Sequence, residues 1–374
     1  MRKTFWLMSL LIVASLVLAA CGGGAPVASG GDGAPVVETV IVEVTSSAPA
    51  VVAPTGFGVT LAAVQERGNL ICGVNSQVPG FGYVDANGNF SGFDVDYCRA
   101  LAAAIFGDPN KVEFRPVTAS ERFTALQSGE IDILSRNTTW SLARDTELAG
   151  NFVHTTFYDG QGMMVPVDTG ITTLEGLDGG TICVQTGTTT ELNLADVMAA
   201  RGISYTPAVY EDADSTFAAY AEGRCDAVTT DKSGLVSRRT VLADPSAHVI
   251  LDVTMSKEPL GPMVRHGDDQ WFDIAQWTVF AMIAGEEFGV SSANVDDMKA
   301  SATNPEVKRL LGVEGDMGLK LGLTNDWAYN IIKLVGNYEE VYNRNLGPDT
   351  PTFIPRGLNS LYSDGGVLYA PPVR

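Results

Sequence analysis

The chain has 374 residues and is 45% hydrophobic, which excludes a disordered protein and makes two domains or two lobes the default organisation. Its 24 Lys and Arg against 44 Asp and Glu give a formal net charge of -20 with no basic cluster, a field that repels phosphate backbones and argues against nucleic acid. The three histidines, His154, His248 and His266, lack metal-ligand spacing, so neither a metal nor another cofactor is expected, and any acid-base chemistry would rest on carboxylates.

Arg2 and Lys3 open the chain with positive charge, and Phe5 to Ala20 is an apolar run of sixteen residues, short for a membrane span. The run ends in Leu18, Ala19, Ala20 and Cys21 followed by three glycines, which resembles the lipobox of bacterial lipoproteins. Residues 1–20 therefore read as a lipoprotein signal peptide and Cys21 as the lipidated residue; an ordinary secretory signal is the alternative. Residues 21–58 carry Cys21 and a Gly, Ala, Pro, Ser and Val-rich stretch with three charges, Asp32, Glu38 and Glu43, and read as a flexible tether. Val36 to Thr45 alternates loosely but has no partner for a strand.

The body starts near Val59. Leu70–Val74 is expected as a strand, Asp94–Phe106 as a helix, Val112–Pro116 as a strand, Ser120–Gln127 as a helix and Ile131–Ser135 as a strand, a βαβαβ plan. Asp94 and Asp96 resemble a catalytic pair, but at a helix start acidic side chains cap free N–H groups and meet the dipole, which is the reading taken. A second lobe repeats the plan: strand Thr181–Gln185, a helix opened by Thr188 to Glu191, strand Ile203–Pro207, helix Asp214–Ala221, strand Ala227–Thr230 and strand Val249–Val253. Segments 123–134 and 217–228 echo each other at an offset of 94, sharing Phe, Ala, Gly and Asp at matched places. Helices are expected over Asn304–Leu311 and Asp326–Asn345, with Trp327, Tyr329, Tyr338 and Tyr342 as packing residues on the first lobe.

Beyond Cys21, four cysteines remain, an even number in an oxidising compartment. Three pairings are possible. Cys72 and Cys183 sit in similar strand-like runs, which favours Cys72 with Cys98 and Cys183 with Cys225; four buried thiols are the alternative.

Open parallel sheets bind ligands at the C-terminal ends of their strands. There, Arg144 follows Asn137 to Ser141 and suits a carboxylate clamp. Gln185 to Thr189 places hydroxyls and a helix N-terminus where an anion can be met. Asp231 ends a strand and suits an ammonium. Together these fit a zwitterionic α-amino acid headgroup. Singly, Arg144 with Asp145 could be a surface ion pair, the Thr run a helix cap, and Asp231 with Lys232 a solvated turn.

From about Thr60 to Arg374 the chain resembles the solute-binding components of bacterial ABC amino-acid importers, in particular the general L-amino-acid-binding branch. The resemblance is carried by Leu70 to Asn75 with Pro79 to Phe81, by Gly92 to Ala100, and by Ser135 to Thr139. It continues in Phe157 to Gly162, Ile182 to Leu192 and Gly322 to Tyr329. It implies an α/β, type II periplasmic-binding-protein fold: two βαβ lobes joined by two hinge strands, with crossings near Phe157–Gly162 and Thr254–Leu260. Residues 59–156 plus 257–374 would form lobe 1 and residues 157–256 lobe 2. By motif, Arg144 would grip the α-carboxylate with help from the backbone at Thr189, Thr188 belonging to the same loop. Asp231 would receive the ammonium with Thr139 and the main chain near Asn137. Val78 stands where many such proteins place a stacking Tyr, so aromatic contact would fall to Phe81 or Phe123.

The resulting expectation is a non-enzymatic, extracytoplasmic binding protein, in the periplasm or on the outer face of the cytoplasmic membrane. It would be monomeric, touch the membrane by its lipid anchor only, and deliver L-amino acids of broad range to ABC permease subunits. The rival readings are an exported enzyme on the same fold, dehydratase-like, and a ligand-sensing lipoprotein. Glu191 is the nearest candidate for a poised carboxylate, but its spacing from Thr188 reads as a capping box.

Overall fold

The computed structural model describes residues 58–374; the signal segment, Cys21, the Val36–Thr45 stretch and all but the last residue of the tether lie outside the described residues. Helix α1 (Val59–Arg67) leads into strand β1 (Leu70–Val74). A small antiparallel sheet follows, made of β2 (Gln77–Val78), β3 (Gly82–Val84) and β4 (Phe90–Ser91). Then come helix α2 (Phe93–Phe106), β5 (Val112–Pro116), α3 (Arg122–Ser128), β6 (Ile133–Leu134), α4 (Leu142–Glu147) and β7 (Gly150–Phe152). In the first main sheet β1 lies parallel between β5 and β6, and the late strand β14 (Met263–Arg265) runs antiparallel between β6 and β7.

Strand β8 (Phe157–Pro166) carries the chain into a second sheet. That sheet contains β9 (Thr181–Gln185), β10 (Thr206–Tyr210), β11 (Ala227–Asp231) and β12 (His248–Ile250), in the order β10-β9-β11-β8-β12. Helices α5 (Thr189–Arg201), α6 (Ala213–Ala221) and α7 (Lys232–Arg239) connect its strands. Strand β13 (Lys257–Leu260) returns antiparallel along β8, pairing Lys257 with Gly160 and Leu260 with Phe157, so two adjacent strands join the sheets. Cys72 of β1 is bonded to Cys98 of α2, and Cys183 of β9 to Cys225 in the turn that leads into β11.

The rest of the chain is helical: α8 (Asp269–Glu287), α9 (Val295–Ser301), α10 (Pro305–Leu310), α11 (Met317–Leu321), α12 (Trp327–Leu334) and α13 (Tyr338–Leu346). Trp327, Ile331, Tyr338 and Tyr342 share one core with Leu70, Leu101 and Trp271. The second sheet has separate cores, one around Ile182, Leu194 and Val165 and one around Phe217, Val228 and Leu235.

Several expectations are corrected. The strand expected over Ile203–Pro207 starts at Thr206: α5 runs to Arg201, stops on left-handed Gly202, and the Ile203 N–H is still bonded to Met198 O, which closes the helix end. The long helix expected over Asp326–Asn345 is two, broken at Gly336, whose φ of 113° no L-residue adopts cheaply; Asn337 then caps α13 through a box with Glu340. Asp94 and Asp96 do not cap α2, whose N-cap is Gly92. Asp96 instead pairs with Arg99 and Arg344, and Asp94 accepts the Asn137 N–H at 2.6 Å. Tyr329 packs as expected against the edge of that core, partly buried, while its hydroxyl donates to Asp296 at the surface.

Candidate functional site

Strand β6 ends at Leu134, and the chain turns through Asn137 with φ 32°, a left-handed conformation that Asn tolerates better than most residues. The turn is held from below. Buried Asp94 accepts the Asn137 N–H, and burial pushes its carboxyl up to about 7 against that bond and the nearby Arg136 charge. Arg136 donates through Nε to Val117 O at 2.7 Å, and burial lowers its pKa to about 10. The turn delivers Thr138 and Thr139 to the C-terminal edge of the sheet. Thr139 bridges to Leu260 of β13, beside the strands that join the sheets.

From the second sheet, β9 ends at Gln185 and the loop through Gly187 leads to the N-terminus of α5. Thr188 Oγ1 accepts the Glu191 N–H at 3.1 Å and donates to Gln185 O. Glu191 itself accepts the Gly187 N–H at 3.0 Å, so its carboxylate is engaged in holding the loop. Thr189 reaches across: its hydroxyl lies 3.2 Å from that of Thr139. Both donate to Glu258 Oε2, Thr139 at 2.6 Å and Thr189 at 2.8 Å, while Asn193 Nδ2 donates to Oε1 at 2.7 Å. Glu258 lies on β13 and is 1% exposed. One buried carboxylate therefore gathers donors from both sheets.

Arg144, in the short helix α4, donates through Nη1 to Thr139 O at 3.0 Å, and its guanidinium carbon lies 5.3 Å from the centre of the Phe123 ring. Burial lowers its pKa, and the negative charges of Glu258 and Asp231 oppose that. Arg122 stands on the same ring at 4.8 Å, is 3% exposed, and has a buried Nε with no hydrogen-bond partner. Burial holds its pKa well below the usual guanidinium range, with Arg144 and Arg136 adding repulsion. On the acidic side, Asp231 ends β11. Its carboxyl is pushed well up, first by burial and then by the charges of Asp159 and Glu258, while the Asn137 amide and Arg144 oppose this. Asp159, on β8, is raised to about 6 by burial, and accepts the Gly160 and Ser233 N–H groups.

The structure thus brings Arg144, Phe123, Thr139, Thr189, Asn137 and Asp231 into one cluster, with Thr188 supporting it as the cap of α5. Phe81 is placed elsewhere: it is 1% exposed, with Phe157 5.1 Å and Phe93 6.2 Å away between ring centres, because an apolar ring between β2 and α2 is drawn into the core. Val78 lines a cavity between the sheets. No Arg144–Asp145 ion pair occurs among the described residues; Asp145 accepts the Phe152 N–H instead. Lys232 does not turn to Asp231 but donates to Thr254. Arg122, Asp159 and Glu258 escape a reading by strand ends. Asp159 and Glu258 lie on the two crossing segments, and that position was the available signal. Among the described residues no group of acidic, His and Cys side chains is arranged to hold a metal.

The sequence pattern of the bacterial extracellular solute-binding proteins, family 3, matches residues 70–292. The chain is 56% identical over 327 residues to the general L-amino acid-binding periplasmic protein AapJ of Rhizobium johnstonii, covering 87% of this chain and 96% of that protein. It is 51% identical over 325 residues to the glutamate/glutamine/aspartate/asparagine-binding protein BztA of Rhodobacter capsulatus, covering 87% and 96%. Among solved structures, an ABC transporter periplasmic binding protein from Brucella ovis with glutathione bound superposes with a TM-score of 0.82 at 52% identity, over 84% of this chain and 99% of that one.

Proposed function

The chain belongs to the bacterial extracellular solute-binding proteins, family 3, and from that premise we propose that it captures L-amino acids outside the cytoplasm and delivers them to an ABC importer. The observation that carries this is the division of charge in the cluster. Arg144 and Arg122 both stand over the Phe123 ring, while Asp231 feels the like charges of Asp159 and Glu258. A zwitterion answers both sides: its carboxylate supplies the arginines with charge-assisted bonds, and its ammonium relieves the repulsion among the carboxylates.

In this reading Arg144 grips the α-carboxylate with the backbone at Thr189, and Asp231 receives the ammonium with Thr139 and the main chain near Asn137. Thr188 fixes the loop, and Phe123 carries the Arg144 guanidinium. Residues 59–156 with 257–374 form one lobe and residues 157–256 the other. Closure of the two about β8 and β13 follows from the ligand's greater affinity for the closed state. Most of the binding strength lies in the shared headgroup, so many amino acids are accepted. Glutathione, bound by the Brucella relative, carries the same free headgroup on its γ-glutamyl end. In this reading the protein binds without chemistry, and Glu191, the carboxylate the dehydratase-like alternative would use, is instead bonded to the Gly187 N–H. We place it outside the cytoplasmic membrane as a monomer held by lipid on Cys21; among the described residues no helix is long and apolar enough to cross a bilayer.

Calorimetric titration of the protein, freed of carried-over ligand by refolding, against the twenty L-amino acids tests the proposal. Binding of many supports it, binding of one alone removes the breadth, and binding of none removes the headgroup assignment.

A further inference from the structure

Strand register gathers the carboxylates of the cluster. Glu258 on β13 stands directly opposite Asp159 on β8, and Asp231 on β11 stands opposite Gln161, two residues further along β8. Directly opposed side chains emerge on one face of a sheet, and so do residues two apart on a strand. Asp159, Glu258 and Asp231 therefore share a face, with Asp159 on the middle strand. Glu258 is 1% exposed and Asp231 5%, while Asp159 is only partly buried and keeps contact with solvent. Like charges so placed repel one another, and each is costly to bury.

The surroundings bond these groups without neutralising them. Glu258 accepts from Thr139, Thr189, Asn193 and Ser256, all neutral donors. Asp159 accepts the Gly160 N–H at 2.7 Å and the Ser233 N–H at 3.1 Å. Asp231 is the N-cap residue of α7 but makes no capping bond. Among the described residues no lysine or arginine forms an ion pair with any of the three. Arg144 on α4 feels the charges of Glu258 and Asp231, and Arg122 on α3 and Arg136 feel that of Asp231. Lys232, opening α7, donates to Thr254, and Arg356 lies over the Tyr342 ring, 4.9 Å from its centre. Tyr342 on α13 is close enough for the Asp159 charge to act on it, and its hydroxyl donates to Ile354 O. The histidines stand elsewhere: His154 packs on Phe280, His248 bonds the Tyr220 hydroxyl and His266 bonds Asp145 O.

Three carboxylates in one place without an ion pair do not all stay charged. Burial, with the Glu258 charge adding to it, raises Asp159 to about 6, and burial and both neighbours push Asp231 up. The cluster therefore holds a proton in mildly acidic solution. A ligand ammonium at Asp231 adds a positive charge beside these groups and favours their ionised forms. The carboxyl O–H of Asp159 then breaks, its proton passes to water, and the ammonium keeps its own three hydrogens.

Resting on the proposed function, we infer that Asp159 is a positioning residue of the ammonium subsite, one that holds a proton while the site is empty and releases it when the ligand's ammonium meets Asp231. Capture is then linked to proton release, and it tightens for all amino acids alike as pH rises through the mildly acidic range. A merely structural role, bonding Gly160 and Ser233, releases no proton.

The test is calorimetric titration of the protein, freed of carried-over ligand, with L-alanine and L-glutamine, whose own charges do not change between pH 5 and pH 8. Titrations in MES and in imidazole, buffers of different ionisation enthalpy, count the protons exchanged. About half a proton is released per ligand at pH 6 and almost none at pH 8, and both ligands bind about tenfold more weakly at pH 5 than at pH 8. Asp159→Asn keeps an oxygen for the Gly160 and Ser233 N–H groups; in it the release at pH 6 disappears and the affinity no longer varies with pH. Absence of release in the wild type overturns the inference. Equal release in Asp159→Asn does the same, because the proton then comes from another group. If the variant does not fold, infrared difference spectra of the wild type at pH 6 decide: loss of a protonated-carboxyl band on adding ligand supports the inference, and its persistence overturns it. If neither ligand binds at any pH, it is the proposed function that fails.

Discussion

Arg144 lies between the Phe123 ring and the Thr139 carbonyl, with Glu258 and Asp231 as its charged surroundings. Removing it leaves those acids and the ligand carboxylate uncompensated. Arg144→Ala is expected to weaken binding of every amino acid alike by about 2–5 kcal/mol, roughly thirtyfold or more, measured by calorimetry. Loss confined to acidic ligands would contradict the headgroup assignment. Asp159 gives a pH prediction. An unfolded Asp titrates near 4, whereas burial raises Asp159 to about 6 in the folded protein. Between those values the folded state holds a proton that the unfolded state has lost, so this group's contribution to stability falls as pH rises through the window. In the ligand-free protein the fall in unfolding free energy from pH 4.5 to 7, measured by denaturant unfolding, should be shallower in Asp159→Asn, by on the order of 2 kcal/mol across the window. An unchanged slope would show that Asp159 is not the group titrating. The slope is the readout, because the substitution also disturbs the bonds from Gly160 and Ser233.

The second half of the 326–345 region shows how a single backbone position overrides periodicity. Trp327, Tyr338 and Tyr342 keep helical spacing and are buried, but Gly336 turns the chain and Asn337 restarts the helix. Asn337 accepts the Glu340 N–H and donates through Nδ2 to Val290 O. Asn337→Ala is therefore expected to cost about 1–3 kcal/mol in denaturant unfolding, with amino-acid affinity unaltered. The disulfides close loops of 26 and 42 residues, for which chain entropy predicts stabilisation of about 3.5 and 4 kcal/mol. The 94-residue echo proves to extend further than its shared residues. Applied to β5 (Val112–Pro116), the offset lands on β10 (Thr206–Tyr210), correcting the strand that local pattern alone placed at Ile203. Ile203 is apolar and buried, and so imitates a strand start, but it packs at the end of α5.

Across the molecule, contacts between the two sheets' elements determine which arrangement a ligand favours. Gln77, on β2, accepts the Ala213 N–H at 3.0 Å and the Asp214 N–H at 3.3 Å at the start of α6. This bond crosses from one sheet's neighbourhood to the other. Gln77→Ala is expected to weaken binding of all amino acids about three- to tenfold, since the two neutral hydrogen bonds that share Oε1 are lost from the closed form. Small-angle scattering should show a smaller ligand-induced contraction than in the wild type. An unchanged affinity and contraction would place the closing contacts elsewhere.

The sequence by itself determined the α/β plan, favoured the disulfide pairing that forms, and pointed to most of the residues that the structure gathers into the cluster. Strand ends, cysteine placement and helix starts are local features, and open parallel sheets put ligand groups at the same edge wherever they occur. Arg144, Asp231, Thr139 and Thr189 were legible for that reason. The tertiary structure alone brought Glu258, 119 residues from Thr139, onto the same hydroxyls as Thr189. It alone set Arg122 beside Arg144 and drew Phe81 into the core. Each of these depends on how two sheets face each other across a pair of joining strands. Charge repulsion, burial and an unmet hydrogen bond arise only between groups the chain has brought together, and no local pattern records them.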